Sequence, residues 1–380
     1  MTSYQICTRC VMDTTDPDIE FDEKGVCNHC HYYDAQVKKK VVSGRGGQEK
    51  LAKIVDEIKR QGAGKDYDCV IGVSGGVDST YVAYKVKELG LNPLAVHLDN
   101  GWDSELAVKN IEQVLKKLNI DLYTHVIDWE EFKDLQLAFL RASTPDSEIP
   151  TDHAIVSLMC QMTVKIGVKY IVMGYNTRTE THHAKAWSQG HFDWKYINSV
   201  HQQFGQIKLT TFPHMNIWTY LRYRTTQKWV NILDYLDYVK KDAMQFLQEE
   251  LGWKYYGGKH YESIYTRFYQ GYILPRKFGY DKRKMHLSSL ICSGEMTRDE
   301  AFIELEKEPY PIELQEEDRA YVIKKFDITE SEFDGIMCLP KKSYHDYPSY
   351  DQLFRSPIYQ GISSIYRWGK QTPKSTSLLF

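Results

Sequence analysis

A short apolar run, Asp68-Cys69-Val70-Ile71-Gly72-Val73, ends in Ser74-Gly75-Gly76-Val77-Asp78-Ser79, and a helical pattern follows at once. A buried strand that turns through glycines into a helix opens a βαβ unit, so a parallel sheet is expected. The helix opens near Ser79 and runs to Leu89, with Val82, Ala83, Val86 and Leu89 on one face and Gly90 as its cap. Residues 93–99 read as a second strand, and Ile111, Val114, Leu115 and Leu118 mark a second helix. Residues 122–127 read as a third strand. A helix from about Asp152, carrying Ile155, Val156, Met159, Met162 and Ile166, leads through Gly167 into a strand over 170–174. Strands spaced by helices of this length imply right-handed crossovers, hence an α/β fold with helices on both faces of the sheet.

The loop suits triphosphate chemistry. Glycines let backbone N–H groups approach phosphate oxygens, and the helix N-terminus adds donors and a favourable dipole. Val73, Ser74, Gly75, Gly76, Val77, Asp78 and Ser79 are therefore expected to bind nucleotide, with Asp78 and Ser79 acting in the chemistry. Asp78 makes sense beside phosphates if it helps hold Mg²⁺ or orients the loop. A Walker A loop is excluded, because the Gly-Lys-Ser/Thr ending is missing; Gly64-Lys65 is followed by Asp66 and preceded by no glycine at position 59. The competing reading is a plain glycine-rich turn.

A second signal stands at the N-terminus. Cys7-Thr8-Arg9-Cys10 and Cys27-Asn28-His29-Cys30 are two Cys-x-x-Cys knuckles, separated by 16 residues. Four thiolates close a tetrahedral site with no open position, the pattern of structural Zn²⁺; redox dithiols are the alternative. Residues 1–34 hold two basic side chains against seven acidic ones, which disfavours a phosphate-binding ribbon. A folding clip or protein-docking surface is the better reading.

The chain is organised around these two features. With 380 residues it exceeds one ordinary core. Residues 1–40 form the cysteine module, with 41–47 as a linker and a helix over 48–60. Residues 48–290 form the domain that carries the glycine loop, rich in aromatics after about 187, and 291–380 a charged, mostly helical C-terminal region. The net charge of −3 gives no global attraction to nucleic acid or membrane. No apolar run nears the ~20 residues a bilayer span needs, and Met1-Thr2-Ser3-Tyr4 shows no signal pattern, so a cytoplasmic protein is expected.

Three further sets of residues carry open readings. His97 and Asp99, at one strand end, and Gly174, Asn176 and Glu180, at another, either meet the nucleotide or serve as caps and solvated carboxylates. The run Pro275–Lys284 holds five cations and one anion. It is either a cradle for pyrophosphate or substrate, chiefly through Lys277 and Arg283, or a solvated basic face. Trp187, Trp194, Tyr196, Tyr255, Tyr256, Tyr261 and Tyr265 either stack on a sugar or base or pack a core, and core packing is the better reading for most.

The six-residue loop resembles the SGGxDS pyrophosphate loop of the adenine-nucleotide α-hydrolase superfamily, over roughly residues 66–180. GMP synthetase, asparagine synthetase and tRNA-thiolating enzymes share that loop. The resemblance implies ATP cleavage between the α and β phosphates. His97-Leu98-Asp99-Asn100-Gly101 resembles the VDNG run of GMP synthetase, implying adenine nearby, and Gly174-Tyr175-Asn176 with Glu180 resembles the loop near the ribose and reacting phosphate.

Over nearly its full length the chain resembles the N-acetyl sugar amidotransferase family of bacterial surface-polysaccharide biosynthesis. The residues that carry this are Cys7 to Thr15, the Cys27–Cys30 knuckle, the loop, Lys254 to Ser263, Leu274 to Asp281 and Ser293 to Arg298. The resemblance implies conversion of an acetamido group on a UDP-linked N-acetyl sugar to an acetamidino group. It also implies ammonia from a glutaminase subunit, delivered through a cyclase-like subunit, both resembling those of imidazole glycerol phosphate synthase. The residues agree that ammonia is supplied from elsewhere: no cysteine sits in a Gly-x-Cys-x-Gly elbow and Thr2 follows Met1. Expected catalytic residues are Asp78, Ser79, Glu180 and Lys277. The rivals are a sulfurtransferase acting on tRNA or a small molecule, which needs a persulfide on Cys160 or Cys292, and an ATP-binding regulatory module.

Overall fold

The computed structural model describes residues 3–258 and 261–354. Met1, Thr2, Lys259, His260 and residues 355–380 lie outside that range, so the expectations resting on them do too.

In chain order the first elements are α1 (Asn28–Lys40), α2 (Gly44–Gly62), β1 (Cys69–Gly72), α3 (Val77–Glu88), β2 (Pro93–Asp99), α4 (Glu105–Leu118) and β3 (Asp121–Val126). Then come α5 (Trp129–Ala142), α6 (Ile149–Lys165), β4 (Tyr170–Met173), α7 (Thr177–Glu180), α8 (Trp194–Phe204), α9 (Ile217–Thr226), β5 (Lys228–Asn231) and α10 (Lys240–Leu251). A helical C-terminal part follows: α11 (Ile264–Phe268), continued by a wider π-helical stretch Tyr269–Phe278, α12 (Arg283–Ser293), α13 (Arg298–Glu306), α14 (Ile312–Phe326), α15 (Glu330–Cys338) and α16 (Asp351–Phe354).

The strands form one parallel sheet in the order β3-β2-β1-β4-β5. Val70 lies beside Leu94 on one side and Ile171 on the other. The chain builds outward from β1 in one direction through β2 and β3, then in the other through β4 and β5. That reversal is a topological switch point, and in open α/β sheets ligands bind at the carboxyl ends of the strands there. The glycine loop after β1 occupies that position.

The strand alternation sorts side chains into two cores. Val70, Leu94, Val96, Leu98 and Ile171 face a core with α5, α6 and α8. Cys69, Ile71, Val73, Ala95, Tyr170 and Val172 face a second core with α2, α3, α4 and α10. At about 1.5–3 kcal/mol per fully buried branched side chain, these two faces dominate what holds the sheet. Val322, Ile323, Phe326, Phe333 and Ile336 join the first core, so α14 and α15 pack on the same hydrophobic cluster as the sheet.

Several boundaries differ from the sequence reading. Lys38, Lys39 and Lys40 are the last turn of α1, and α2 starts at Gly44 inside the expected linker. Leu51, Val55 and Ile58 bury one face of α2, and that packing overrides the poor helix propensity of its glycines. Helix α3 starts at Val77, placing Asp78 and Ser79 in its first turn. Helix α6 starts at Ile149, with Pro150 in its opening turn. Helix α5 and strand β5 are additions to the expected alternation.

Candidate nucleotide site and metal centre

The loop between β1 and α3 is held from within. Gly75 has φ +77°, and a Cβ there would lie 2.7 Å from the Ala107 carbonyl oxygen, so glycine is required twice over. The Trp253 indole donates to the Gly75 carbonyl at 2.8 Å. Ser79 Oγ accepts from the Ser74 N–H at 3.3 Å, donates to the Gly76 carbonyl at 3.2 Å and lies 3.2 Å from Ser74 Oγ. Among the described residues no side chain caps α3, which suits a helix terminus whose N–H groups receive an anion.

Strands β4 and β5 bring the rest of the site. A Cβ on Gly174 would fall 2.9 Å from the Ser79 nitrogen, so the end of β4 touches the start of α3. Asn176 is buried, caps α7 by accepting from the Arg178 N–H at 3.0 Å, and gives its own N–H to Glu180 Oε2 at 3.3 Å. Its Nδ2 is buried with no hydrogen-bond partner among the described residues. The Thr177 N–H and hydroxyl both reach Asp234, at 3.0 and 2.9 Å, which locks the end of β4 to the segment after β5.

The chain after β5 supplies two residues absent from the sequence reading. Tyr238 donates to Asp78 Oδ1 at 2.5 Å, and Lys240 donates to Oδ2 at 3.0 Å. Burial pulls the Lys240 pKa down, but the carboxylates of Asp78 and Glu180 outweigh it and hold the ammonium charged. No motif marks these two residues. Position 240 is 162 residues from Asp78, and only the parallel pairing of β5 brings it there.

Around this centre His97 acts as a strut: Nδ1 meets the Val73 carbonyl at 3.0 Å and Nε2 meets Asp103 at 3.0 Å. Both ring nitrogens are engaged, so the imidazole braces the loop from beneath. Asp99 accepts from the Gly101 N–H at 2.9 Å and, with Asn100, Gly101, Ile127, Trp129 and Lys325, lines a cavity of about 230 Å³.

Lys277 and Arg283 need correction. Lys277 is buried and donates to the Ile336 carbonyl, and burial lowers its pKa to about 8. Arg283 is bound to Asp281 at 2.7 Å and to the carbonyls of Glu304 and Lys307 at 3.1 and 2.9 Å. Both cations are committed to joining the C-terminal helices, which is why they do not serve as a phosphate cradle.

Lys282, between them, has a different fate. It lies 3.5 Å from Asp146, which also accepts from Ser188 and sits 3.7 Å from His191. Burial pushes the Asp146 pKa up, yet Lys282 and His191 hold it below the usual carboxylate range. Glu148 takes hydrogen bonds from Thr266 and, at 3.0 Å, from Gln270, and its burial raises its pKa. This cluster stands just before α6, which descends into β4, so it lies at the same carboxyl edge as the loop.

The aromatic residues divide. Trp187 is buried and stacked on Tyr280 at 5.1 Å, Tyr196 bonds Thr144 at 3.1 Å and Tyr265 bonds Ser147 at 2.6 Å, all as core. Trp194 is half-buried and stacks on His214 at 4.1 Å. Tyr256 is the exception: its hydroxyl lies 3.4 Å from where a Cβ on Gly76 would stand, against the loop.

The four knuckle cysteines converge. Cys7 and Cys30 Sγ are 3.9 Å apart, and Cys10 and Cys27 Sγ are 3.7 Å apart. A tetrahedron with Zn–S bonds of about 2.3 Å has edges of about 3.8 Å, so the set fits zinc. Backbone N–H groups of Arg9, Met12 and Cys27 point at these sulfurs, at 3.4, 3.4 and 3.2 Å, as they do around thiolates. Arg298 pins both halves of the first knuckle through the Cys7 and Cys10 carbonyls, at 2.8 and 3.0 Å. Cys160 is buried, and burial pushes its thiol up to about 12. Cys292 Sγ lies 3.8 Å from Cys30 Sγ.

Comparison with known proteins adds a family. Residues 262–360 match the model of a family described as "LPS biosynthesis protein WbpG-like, C-terminal domain". An uncharacterized protein of Methanocaldococcus jannaschii, MJ1599, is 26% identical over 284 residues, covering 73% of this chain and 86% of that protein. The tRNA-specific 2-thiouridylase MnmA of Mesomycoplasma hyopneumoniae is 28% identical over 211 residues, 46% of this chain; the chain spans about half of that enzyme, 52%. Among solved structures, an NH3-dependent NAD synthetase from Campylobacter jejuni covers 78% of this chain and 98% of its own at 13% identity and a TM-score of 0.31. A glycine loop of the SGGxDS type at the switch point of a parallel sheet is thus followed, over residues 262–360, by a C-terminal part similar to that of the WbpG-like lipopolysaccharide-biosynthesis proteins.

Proposed function

We propose that this chain is an ATP-dependent amidotransferase that converts the acetamido group of a UDP-linked N-acetyl sugar to an acetamidino group, releasing AMP and pyrophosphate. The observation that carries the ATP part is the loop itself. A helix start with no side-chain cap among the described residues and a half-buried carboxylate paired with Lys240 meet the ends of β1, β4 and β5. The sugar part is supported by the match to a lipopolysaccharide-biosynthesis domain.

The chemistry follows from the donors. The first-turn N–H groups of α3, with Ser74 and Ser79, are suited to the β and γ phosphates. The substrate amide oxygen attacks the α phosphorus and pyrophosphate leaves with the electron pair of the broken P–O bond. Lys240, paired with Asp78 beside the loop, is assigned to meet the negative charge that grows on the departing group, where a fixed cation stabilises the transition state. Ammonia then attacks the imidate carbon, AMP leaves with the former amide oxygen, and the nitrogen loses its proton to give the amidine. Asp78, Glu180 and Glu262 each hold the charge on Lys240, and Mg²⁺ arriving with the nucleotide would offset phosphate charge. Zinc in the cysteine centre would be structural. Ammonia is proposed to come from a glutaminase subunit through a cyclase-like subunit, in the cytoplasm.

The thiouridylase relatives favour a second reading, sulfur transfer to tRNA. The burial and high pKa of Cys160 count against it, since the thiolate is the reactive form. The deciding experiment supplies ¹⁵N-ammonium, ATP and a panel of UDP-linked N-acetyl sugars and follows the sugar by mass spectrometry. Exchange of one oxygen for an ¹⁵N imino group supports amidation. Turnover confined to tRNA with a sulfur donor rejects it.

A further inference from the structure

The cysteine centre holds more donors than one zinc ion takes. Besides the four knuckle sulfurs, Cys30 Sγ, Cys292 Sγ and a ring nitrogen of His182 form a second group whose ligand atoms all lie within 4.8 Å of one another. A tetrahedral ion uses four ligands; here five sulfurs and one imidazole stand together, with Cys30 common to both groups.

His182 is built as a ligand. It is only 5% exposed. Its Nδ1 meets Ser289 Oγ at 3.0 Å, and that hydroxyl donates onward to the Met285 carbonyl at 3.3 Å. A hydroxyl already donating elsewhere accepts from the ring, so Nδ1 carries the proton and Nε2 presents its lone pair. Nε2 is buried with no hydrogen-bond partner among the described residues. A buried imidazole oriented through its other nitrogen is how proteins hold a metal-binding histidine. An unpartnered one otherwise costs about 1–3 kcal/mol.

We infer a second zinc position, held by Cys30, His182 Nε2 and Cys292, that shares the Cys30 thiolate with the four-cysteine site. The three ligands come from the first turn of α1, the segment just after α7 and the last turn of α12. The second ion therefore fastens the N-terminal module to the wall that carries Asn176 and Glu180. Three protein ligands leave one position for solvent or a small ligand, unlike the closed first site.

The test is metal content of the purified full chain by inductively coupled plasma mass spectrometry, after exhaustive dialysis against metal-free buffer. Two zinc ions per chain are expected, falling to one in Cys292→Ser and in His182→Gln. Cadmium-113 NMR of the exchanged protein checks the ligands, with two resonances in the wild type and the mixed sulfur–nitrogen one lost in both variants. One zinc per chain in the wild type overturns the inference. So does retention of two zinc ions in both variants.

Discussion

Asp78 has both carboxylate oxygens engaged, one by Tyr238 and one by Lys240. Removing either charge changes what the phosphates meet. Asp78→Asn is expected to lower pyrophosphate release at least ~100-fold, the scale of losing one preorganised electrostatic contact, while circular dichroism stays that of the wild type. Lys240→Gln is expected to do the same, with a larger rise in KM for ATP. Normal release in either variant rejects the assigned role. Asp78 and Ser79 were legible because they stand in a compact motif. Lys240 and Tyr238 were not, because a residue placed by a strand pairing far along the chain leaves no local pattern. Lys277 and Arg283 were misread for the opposite reason: a charge run looks the same whether it meets phosphate or carbonyl oxygens.

His153 carries a pH prediction at the same scale. Its Nδ1 donates to the His191 carbonyl at 2.8 Å, and its Nε2 accepts the Met215 N–H at 3.1 Å. Burial lowers its pKa to about 4, and a proton on Nε2 would also set donor against donor. The unfolded chain, with an ordinary histidine, takes up the proton first as pH falls. Stability from this group is thus complete above about pH 6.5 and is lost down to about pH 4, in all by roughly 3 kcal/mol. Urea unfolding at pH 7 and pH 4.5 measures it, and the difference should shrink in His153→Gln. An unchanged difference places the acid sensitivity elsewhere.

Among the elements, β4 and α3 meet at Gly174, where there is no room for a side chain beside the Ser79 nitrogen. Gly174→Ala is expected to shift the loop, cutting ATP turnover more than tenfold and costing about 1–3 kcal/mol as overpacking does. Unaltered turnover with an unaltered melting temperature contradicts that contact. Most of the alternation could be read from periodicity, since β1, β2 and β4 are buried apolar runs. Helix α5 escaped because its buried face includes Glu131, Asp134 and Gln136. Glu131 accepts from the N–H groups of Thr210, Thr211 and Phe212, and Asp134 from those of Gln206 and Ile207. Side chains that satisfy a neighbouring loop break the apolar stripe by which a helix is recognised. Strand β5 escaped because it is four residues long at the sheet edge, with Lys228 and Trp229 exposed.

On the scale of the whole molecule, the cysteine module is sewn to the main body. Arg298 reaches the first knuckle, Lys284 pairs with Asp13, and the Val11 N–H meets Ser288 at 3.3 Å. Cys27→Ser is therefore expected to lose zinc and several kcal/mol of stability, as loss of a structural metal does, while ATP cleavage by the protein that remains folded persists. Zinc analysis with thermal unfolding checks this, and a metal-free variant of normal stability rejects the structural role. The knuckle spacing showed the four ligands in the sequence. The approach of Cys292 and His182 did not show, because it depends on where α7 and α12 pack.

The account stands on cleavage of ATP between its α and β phosphates at the loop of residues 74–79. Nucleotide and phosphate products, separated by chromatography after incubation with ATP, Mg²⁺, ammonium and a UDP-linked N-acetyl sugar, test it directly. AMP and pyrophosphate in equal amounts, dependent on the sugar, are predicted. ADP and orthophosphate would contradict it.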